Sequence, residues 1–421
     1  MKTTNCIRKA WLNSLILLIA STLTFGSTVE PANAGLWDNI KGRIEAWYAD
    51  DRSELSDEPT ISQTPVEYAG RVDLILKDQI ELAFDEDTPG IGSVGWMGFS
   101  PEGTLLLVDF IGSQVVEFSR TDGQYIRSLG RSGVGPGEYG RPSCIDIDPQ
   151  GRLYLLDPGL GYLFRYDRQG RYLDRTHRFA KGSKIVTGRN GEVFLTWAKR
   201  TSSGHIMELQ RLDPATYEPI YSIPLSTSQQ SFTARRMFGY ARLAYSPTRN
   251  RLYYMGPNDY KVTEIDADTG QLVRQFGYQL ERYASIPERY YNLKDVTFED
   301  MSKLDHESSS VVSMVLVQDR YIFVTYHHPS IFDDLTKRTL KWEGVAYDLQ
   351  IPDLIKAYAF EEPLSSYTDP TDSSKVHFHA FPQGDITHWN DCLYIYHSPL
   401  PGREKHSNGT VPAYKPVFRS Q

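Results

Sequence analysis

Short apolar runs separated by turns fill the chain from residue 94 onward, and residues 143–179 show the unit most clearly. Cys144–Asp148 alternates apolar and polar side chains, Asp148-Pro-Gln-Gly151 supplies a turn, and Arg152–Leu156 is apolar. Gly161–Tyr166 and Arg171–Arg175 then form a hairpin across Asp167-Arg-Gln-Gly170. Four strands without a helix make one sheet, which cannot bury both faces alone and needs copies of itself. The copies are marked by the turn before each second strand. Gly103, Gly151, Gly191, Asn250, Asp319 and Asp391 each precede an apolar run, and these residue types enter positive φ most cheaply. Six markers predict six blades of an all-β propeller.

The glycine-rich run Leu129-Gly-Arg-Ser-Gly-Val-Gly-Pro-Gly-Glu-Tyr-Gly-Arg-Pro142 carries a family likeness, together with the Ile-Asp-Ile-Asp-x-x-Gly-x-Leu-Tyr-Leu-Leu-Asp run after it and Phe164-Arg-Tyr-Asp-Arg-Gln-Gly170. In these residues the chain resembles six-bladed propellers of the NHL-repeat kind. The resemblance is specific over residues 94–180 and architectural beyond them. It implies the fold and leaves the chemistry open, because such propellers host lyases, hydrolases and binding modules alike.

Blades are expected at 94–130, 143–179, 184–225, 241–278 and 311–360. The sixth, 384–419, is short of strands, whereas strand-like Gly70–Phe84 precedes the first marker. An N-terminal strand that completes the last blade would close the ring and remove its open edge, giving one domain over 70–421. Three connectors are long: Ser226–Tyr240, Glu281–Ser310 (read as partly helical) and Glu361–Gln383. In a propeller such connectors emerge on one face, with the loops between second and third strands. That face, called upper here, is where function is expected.

Residues 1–34 read as a secretory signal peptide, with Lys2, Arg8 and Lys9 ahead of an apolar centre at Leu15–Ala20 and a small-x-small site at Ala32-Asn-Ala34. The expected location is therefore secreted or periplasmic. Cleavage near Ala34 also removes Glu30 and moves the formal charge from −8 to −10, which disfavours nucleic acid as a partner. Residues 35–69 read as a short amphipathic helix, Leu36–Tyr48, followed by an acidic linker. The helix docks on its own domain or contacts a partner or membrane surface through residues 36–48. Cys144 and Cys392 fall in non-adjacent blades, so no disulfide is expected, and the chain is expected to be a monomer.

Candidate chemistry gathers where the second strands end, at Asp109, Asp157, Trp197, Gly256, Thr325 and His397. The two aspartates suit loop-holding hydrogen bonds, as the family resemblance implies. Trp197 with Arg200, His327 and His397, and the guanidinium groups of Arg141, Arg235 and Arg236 are the candidates for ligand contact. His377 and His379 project to one side of an extended segment, and with His397 or His327 as third ligand they could hold zinc with an open position. The leading reading is a propeller that binds a protein, peptide or glycan on its upper face. A metal-dependent hydrolase or lyase built on the late histidines is the alternative, and a scaffold subunit of an envelope complex is a third. No nucleophile elbow or phosphate loop is present in the sequence.

Overall fold

The computed structural model describes residues 61–83, 88–91, 94–109, 112–176, 182–201, 204–226, 241–290, 304, 307–328, 331–334, 337–340, 342–361, 367–368, 384–397 and 410–420. The residues read as a signal sequence and an amphipathic helix, and most of those read as an acidic linker, lie outside them. A long first strand, β1 (Val66–Glu81), precedes blade one: β2 (Val94–Phe99), β3 (Leu105–Asp109), β4 (Gln114–Phe118) and β5 (Tyr125–Ser128). The connector pair β6 (Arg131–Ser132) and β7 (Glu138–Tyr139) leads to blade two, β8 (Cys144–Ile147), β9 (Leu153–Asp157), β10 (Tyr162–Tyr166) and β11 (Tyr172–Arg175). Blade three is β12 (Gly182–Thr187), β13 (Val193–Thr201), β14 (Gly204–Leu212) and β15 (Pro219–Ser226). Blade four is β16 (Arg242–Ser246), β17 (Arg251–Met255), β18 (Lys261–Asp266) and β19 (Leu272–Gly277). Blade five has β20 (Ser310–Val317), β21 (Tyr321–His327), an inserted hairpin β22 (Ile331–Asp334) and β23 (Lys337–Leu340), then β24 (Trp342–Asp348) and β25 (Ile355–Glu361). A short β26 (Tyr367–Thr368) precedes blade six, β27 (Gly384–Trp389), β28 (Cys392–His397) and β29 (Thr410–Ser420).

The innermost strands pack against one another in the cyclic order β2, β8, β12, β16, β20, β27 and back to β2, a closed ring of six blades. Alternation puts apolar side chains between the blades, as in the cluster of Leu106, Tyr139, Leu155, Phe164 and Leu195 that spans blades one to three. The turns ahead of the second strands have the expected backbone. Gly103 (φ 83°), Gly151 (79°), Gly191 (83°), Asn250 (53°) and Asp319 (54°) are left-handed. In blade six the left-handed residue is Asn390 (φ 55°) rather than Asp391, because Trp389↔Cys392 closes the turn one residue earlier.

The N-terminal segment closes the ring and does more than complete blade six. Gln275 N–H bonds the Ser62 carbonyl and Thr64 N–H bonds the Gln275 carbonyl (both 2.8 Å), tying the segment to β19 of blade four. Val66–Arg71 then pairs parallel with β25 of blade five, and Gly70–Glu81 pairs antiparallel with β29 of blade six. Ala83 N–H finally bonds the Gly123 carbonyl (2.9 Å) in the outer turn of blade one. One segment thus crosses the outer edges of four blades, and β1 begins at Val66, four residues before the expected Gly70. At the seam, Phe418 of β29 stacks on Tyr321 of blade five (4.4 Å between centroids) and packs edge-on against Tyr358 (4.9 Å).

Gly123 (φ 69°) allows the belt its last contact, since any side chain there would run into the Glu81 carbonyl. Gly123→Ala should therefore lose the belt contact in addition to the cost of a left-handed alanine, which is about 1–3 kcal/mol. Gly151→Ala has a similar φ (79°) but meets only the flexible Arg168 side chain (3.1 Å), so it bears the backbone cost alone. Urea unfolding should rank Gly123→Ala below Gly151→Ala. Equal midpoints would mean that the belt contributes nothing at blade one.

Candidate functional site

The two faces of the ring differ in construction. On the lower face, tight turns brace one another across blades: Arg168 pairs with Glu102, Thr248 N–H bonds Asp319 Oδ2 (3.1 Å), and Arg249 donates to the Leu349 carbonyl (2.9 Å). A cleft of about 350 Å³ between blades one and two lies among these pairs, lined by Glu102, Glu117, Arg127 and Arg168 over Leu106 and Leu153. On the upper face the chain is longer. In blade three β13 and β14 stay paired beyond Trp197, from Ala198↔Met207 to Thr201↔Gly204. Four further residue pairs lift that hairpin roughly 13 Å above the level where β3, β9 and β28 end. Blade five adds the β22–β23 hairpin, and β26, from the connector to blade six, pairs with β23 through Thr339↔Thr368 and Leu340↔Tyr367.

The upper ends of the blades are held by buried polar groups. Asp157, with no exposed surface, accepts N–H bonds from Gly140 (2.5 Å), Arg141 (3.1 Å) and Leu160 (2.9 Å), while Asp109 accepts from Gly112 (3.0 Å) and Gln114 Nε2 (2.9 Å). These are the loop-holding bonds that the family resemblance implied. Nearer the channel, Asp146 on β8 accepts bonds from Thr187 N–H and Oγ1 (the latter 2.8 Å) on β12, linking blades two and three. Burial pushes the Asp146 carboxyl up to about 6, against the lowering effect of those bonds.

Above blades four and five lies a polar joint that the sequence did not suggest. The Asn258 amide donates to the Ser309 carbonyl and accepts Ile286 N–H (3.2 Å). Ser309 Oγ accepts Ala284 N–H (3.0 Å) and lies 3.0 Å from His328 Nδ1, and His328 Nε2 is 3.6 Å from Glu343 Oε2. Arg282 pairs with the other oxygen of Glu343. The tautomer with its proton on Nε2 suits this arrangement: Nδ1 accepts from Ser309, and Nε2–H faces the carboxylate from beyond hydrogen-bond distance. Burial, then His327 and Arg282, lower the His328 pKa to about 4, so the ring is neutral near pH 7. A serine, a histidine and a carboxylate in line have the order of a nucleophile, its base and an orienting acid. Here, however, Ser309 has no exposed surface and its oxygen is already engaged by Ala284. The arrangement clamps the connector after blade four onto blade five.

The candidates from the sequence are scattered around the ring. Arg141 follows the glycine-rich connector with an exposed side chain. Trp197 is half-buried on β13, its indole Nε1 enclosed and without a hydrogen-bond partner among the described residues. Arg200 lies farther up the same hairpin, opposite His205. His327 is 1% exposed, inside the joint of blades four and five rather than on open surface. His397 ends β28 opposite Gly384. Arg235, Arg236, His377 and His379 lie outside the described residues, and with them the zinc site. Among the described residues no group of three or more His, Cys, Asp or Glu is placed to hold a metal. Cys144 is a buried thiol and Cys392 a half-buried one. Of the connector read as partly helical, the described part holds one turn of 3-10 helix, Glu288–Tyr290, and α-helical backbone at Leu304 and Glu307, with Ser308 N–H bonding the Leu304 carbonyl (2.9 Å).

A family model described as a 6-bladed beta-propeller matches residues 86–197. Among solved structures, a Bacteroides fragilis NCTC 9343 protein described as exported is similar at 14% identity and a TM-score of 0.53, covering 86% of this chain and 99% of that one. A member of the DUF4221 family from Bacteroides vulgatus is similar at 12% identity and a TM-score of 0.52, covering 84% and 100%. Both are likenesses of fold. No curated protein matches the chain by sequence.

The buried joint makes a signed prediction. Between pH 6.5 and about 4 the unfolded chain protonates His328 and the folded chain does not, so this histidine's contribution is full above pH 6.5 and is lost as pH falls through that window. Asp146 and Asp259, both pushed up to about 6 by burial, act oppositely, since they lose stability as pH rises from 3.8. The histidine term is therefore visible as a difference: the stability gap between wild type and His328→Gln should shrink by about 3 kcal/mol from pH 7 to pH 4. A gap independent of pH would show that His328 is not held neutral. Ser309→Ala, which strands Ala284 N–H and His328 Nδ1, should cost about 1–3 kcal/mol in urea unfolding.

Proposed function

We propose that this propeller is exported and binds a protein, peptide or glycan ligand on its upper face. The observation that carries this reading is the asymmetry of the two faces. Lower-face turns are short and cross-braced by an ion pair and hydrogen bonds, whereas the upper face bears the elongated β13–β14 hairpin and the three-stranded β22, β23, β26 sheet. Structure added beyond what ring closure needs has an entropic cost, and it is concentrated on one side. Trp197 and Arg200 on the hairpin and Arg141 on the neighbouring connector supply residue types suited to contact, because aromatic rings and guanidinium forks give much interaction area for few rotors. Export rests on residues 1–34, whose charged start, apolar centre and Ala-x-Ala end have the form of a cleaved leader.

The test is a binding screen against peptide and glycan arrays with a variant whose hairpin is cut. Replacing Lys199–Ile206 by Asn-Gly closes the ladder at Ala198↔Met207 with a two-residue turn. Melting should stay near that of the wild type, while affinity for the captured ligand falls about tenfold or more, or about 1.4 kcal/mol. A ligand held equally by both proteins and lost on changing lower-face residues Glu102 and Arg168 would place binding on the opposite side.

A further inference from the structure

We propose that the corner of the upper face over blades one and two is a preorganised docking site for an extended acidic peptide, which deepens the upper-face reading above and rests on it. The glycine-rich connector 130–140 is nearly without regular structure, yet it is fixed along its length. β6 and β7 pair in parallel, and the Glu138 carboxylate accepts N–H bonds from Val134 (3.1 Å) and Gly135 (2.9 Å) while pairing with Arg131 (2.6 Å). Tyr139, fully buried, donates its hydroxyl to the Leu129 carbonyl (2.8 Å) and accepts Val115 N–H (3.0 Å). The Tyr166 hydroxyl reaches the Gly137 carbonyl (3.4 Å).

On this fixed loop the Val134 side chain stands 64% exposed, more than any other large apolar side chain among the described residues. A single exposed valine is ordinary. The setting is not, because three arginines of a chain with net charge −8 share the corner. Arg131 is 81% exposed at its side chain, and Arg141 is exposed with its backbone N–H held by Asp157. The Arg175 guanidinium lies 4.4 Å over the Tyr162 ring and donates to the Val134 carbonyl (3.3 Å). The carboxylates close by each have a partner: Asp157 is buried under its three N–H bonds, Asp174, 44% exposed, pairs with Arg165, and Glu138 is shared between Arg131 and the loop's own amides. The corner therefore presents positive charge and one apolar knob on a frame that needs little ordering to bind.

An acidic peptide with apolar residues between its carboxylates fits both features, since guanidinium forks match carboxylates and Val134 can enter a gap between side chains. A nucleic acid or a sugar would look for an open ring to stack on, and the face of Tyr162 is already covered by Arg175.

Fluorescence polarisation with the full chain tests this, using a labelled peptide of alternating Glu and Val, its Lys-for-Glu counterpart, and a heparin oligosaccharide. Saturable binding of the acidic peptide alone is expected, weakened about tenfold by Arg141→Glu and by Arg131→Glu and several-fold by Val134→Ser. Arg141→Glu leaves the Glu138 cap untouched, so its loss of binding, at an unchanged melting temperature, separates recognition from loop collapse. Failure of the acidic peptide to bind, or equal binding by all variants, overturns the proposal, as does heparin binding that depends on the same arginines without peptide binding. If array ligands are still lost on cutting the β13–β14 hairpin, the upper-face reading stands while this site falls.

Discussion

Everything in this molecule depends on closing a ring whose blades present strand edges at the rim. An uncovered edge is a row of unpaired N–H and C=O groups that invites the wrong partner. The belt from Ser62 to Ala83 lies along β19, β25 and β29, which are six, seven and eleven residues long. The outer strands it leaves uncovered protect themselves. β5 and β11 have four residues each, and β15, with eight, carries Pro219 and Pro224, which cannot donate to an added strand. Because β1 pairs in parallel with blade five and antiparallel with blade six, it also fuses their sheets into a single eight-stranded unit across the seam.

A closed ring lets the upper surface be irregular without being loose. Asp157, Tyr139 and Glu138 convert a glycine-rich connector into a fixed platform, and Ser309, Asn258 and His328 do the same for the connector after blade four. Apart from His328, which is held by the Ser309 hydroxyl, these buried or half-buried groups bond to backbone, so displacing the connector would strand them at about 1–3 kcal/mol apiece. Presenting contact residues on such loops lowers the entropy that binding must overcome, which is how fold and proposed function are connected.

Local signals in the sequence carried much of this. Turn residues with cheap positive φ marked five of the six second strands, and the sixth marker fell one residue off because Asn390 and Asp391 are adjacent and both tolerate the left-handed region. The strands of blade two were legible to within a residue at most ends because their turns are glycine-punctuated. Closure was foreseen from a strand count, but the pairing of Val66–Arg71 with β25 was not, since blade five already had its four strands and no local pattern calls for a further one. The same holds for Ser309, His328 and Glu343, ordinary polar residues made into a joint by two blades meeting. Trp197, with Arg200 after it, was singled out at the position where blades one and two carry Asp109 and Asp157, and it lies on the blade whose hairpin is longer.

Native-state hydrogen exchange resolved to individual amides tests the closure account most directly. If the belt locks the ring, paired amides of β1 and β29 exchange only in the same slow, cooperative opening that exposes β25. Fast exchange along β1, with blades five and six still protected, would contradict it and leave the ring held by the packing of its innermost strands alone.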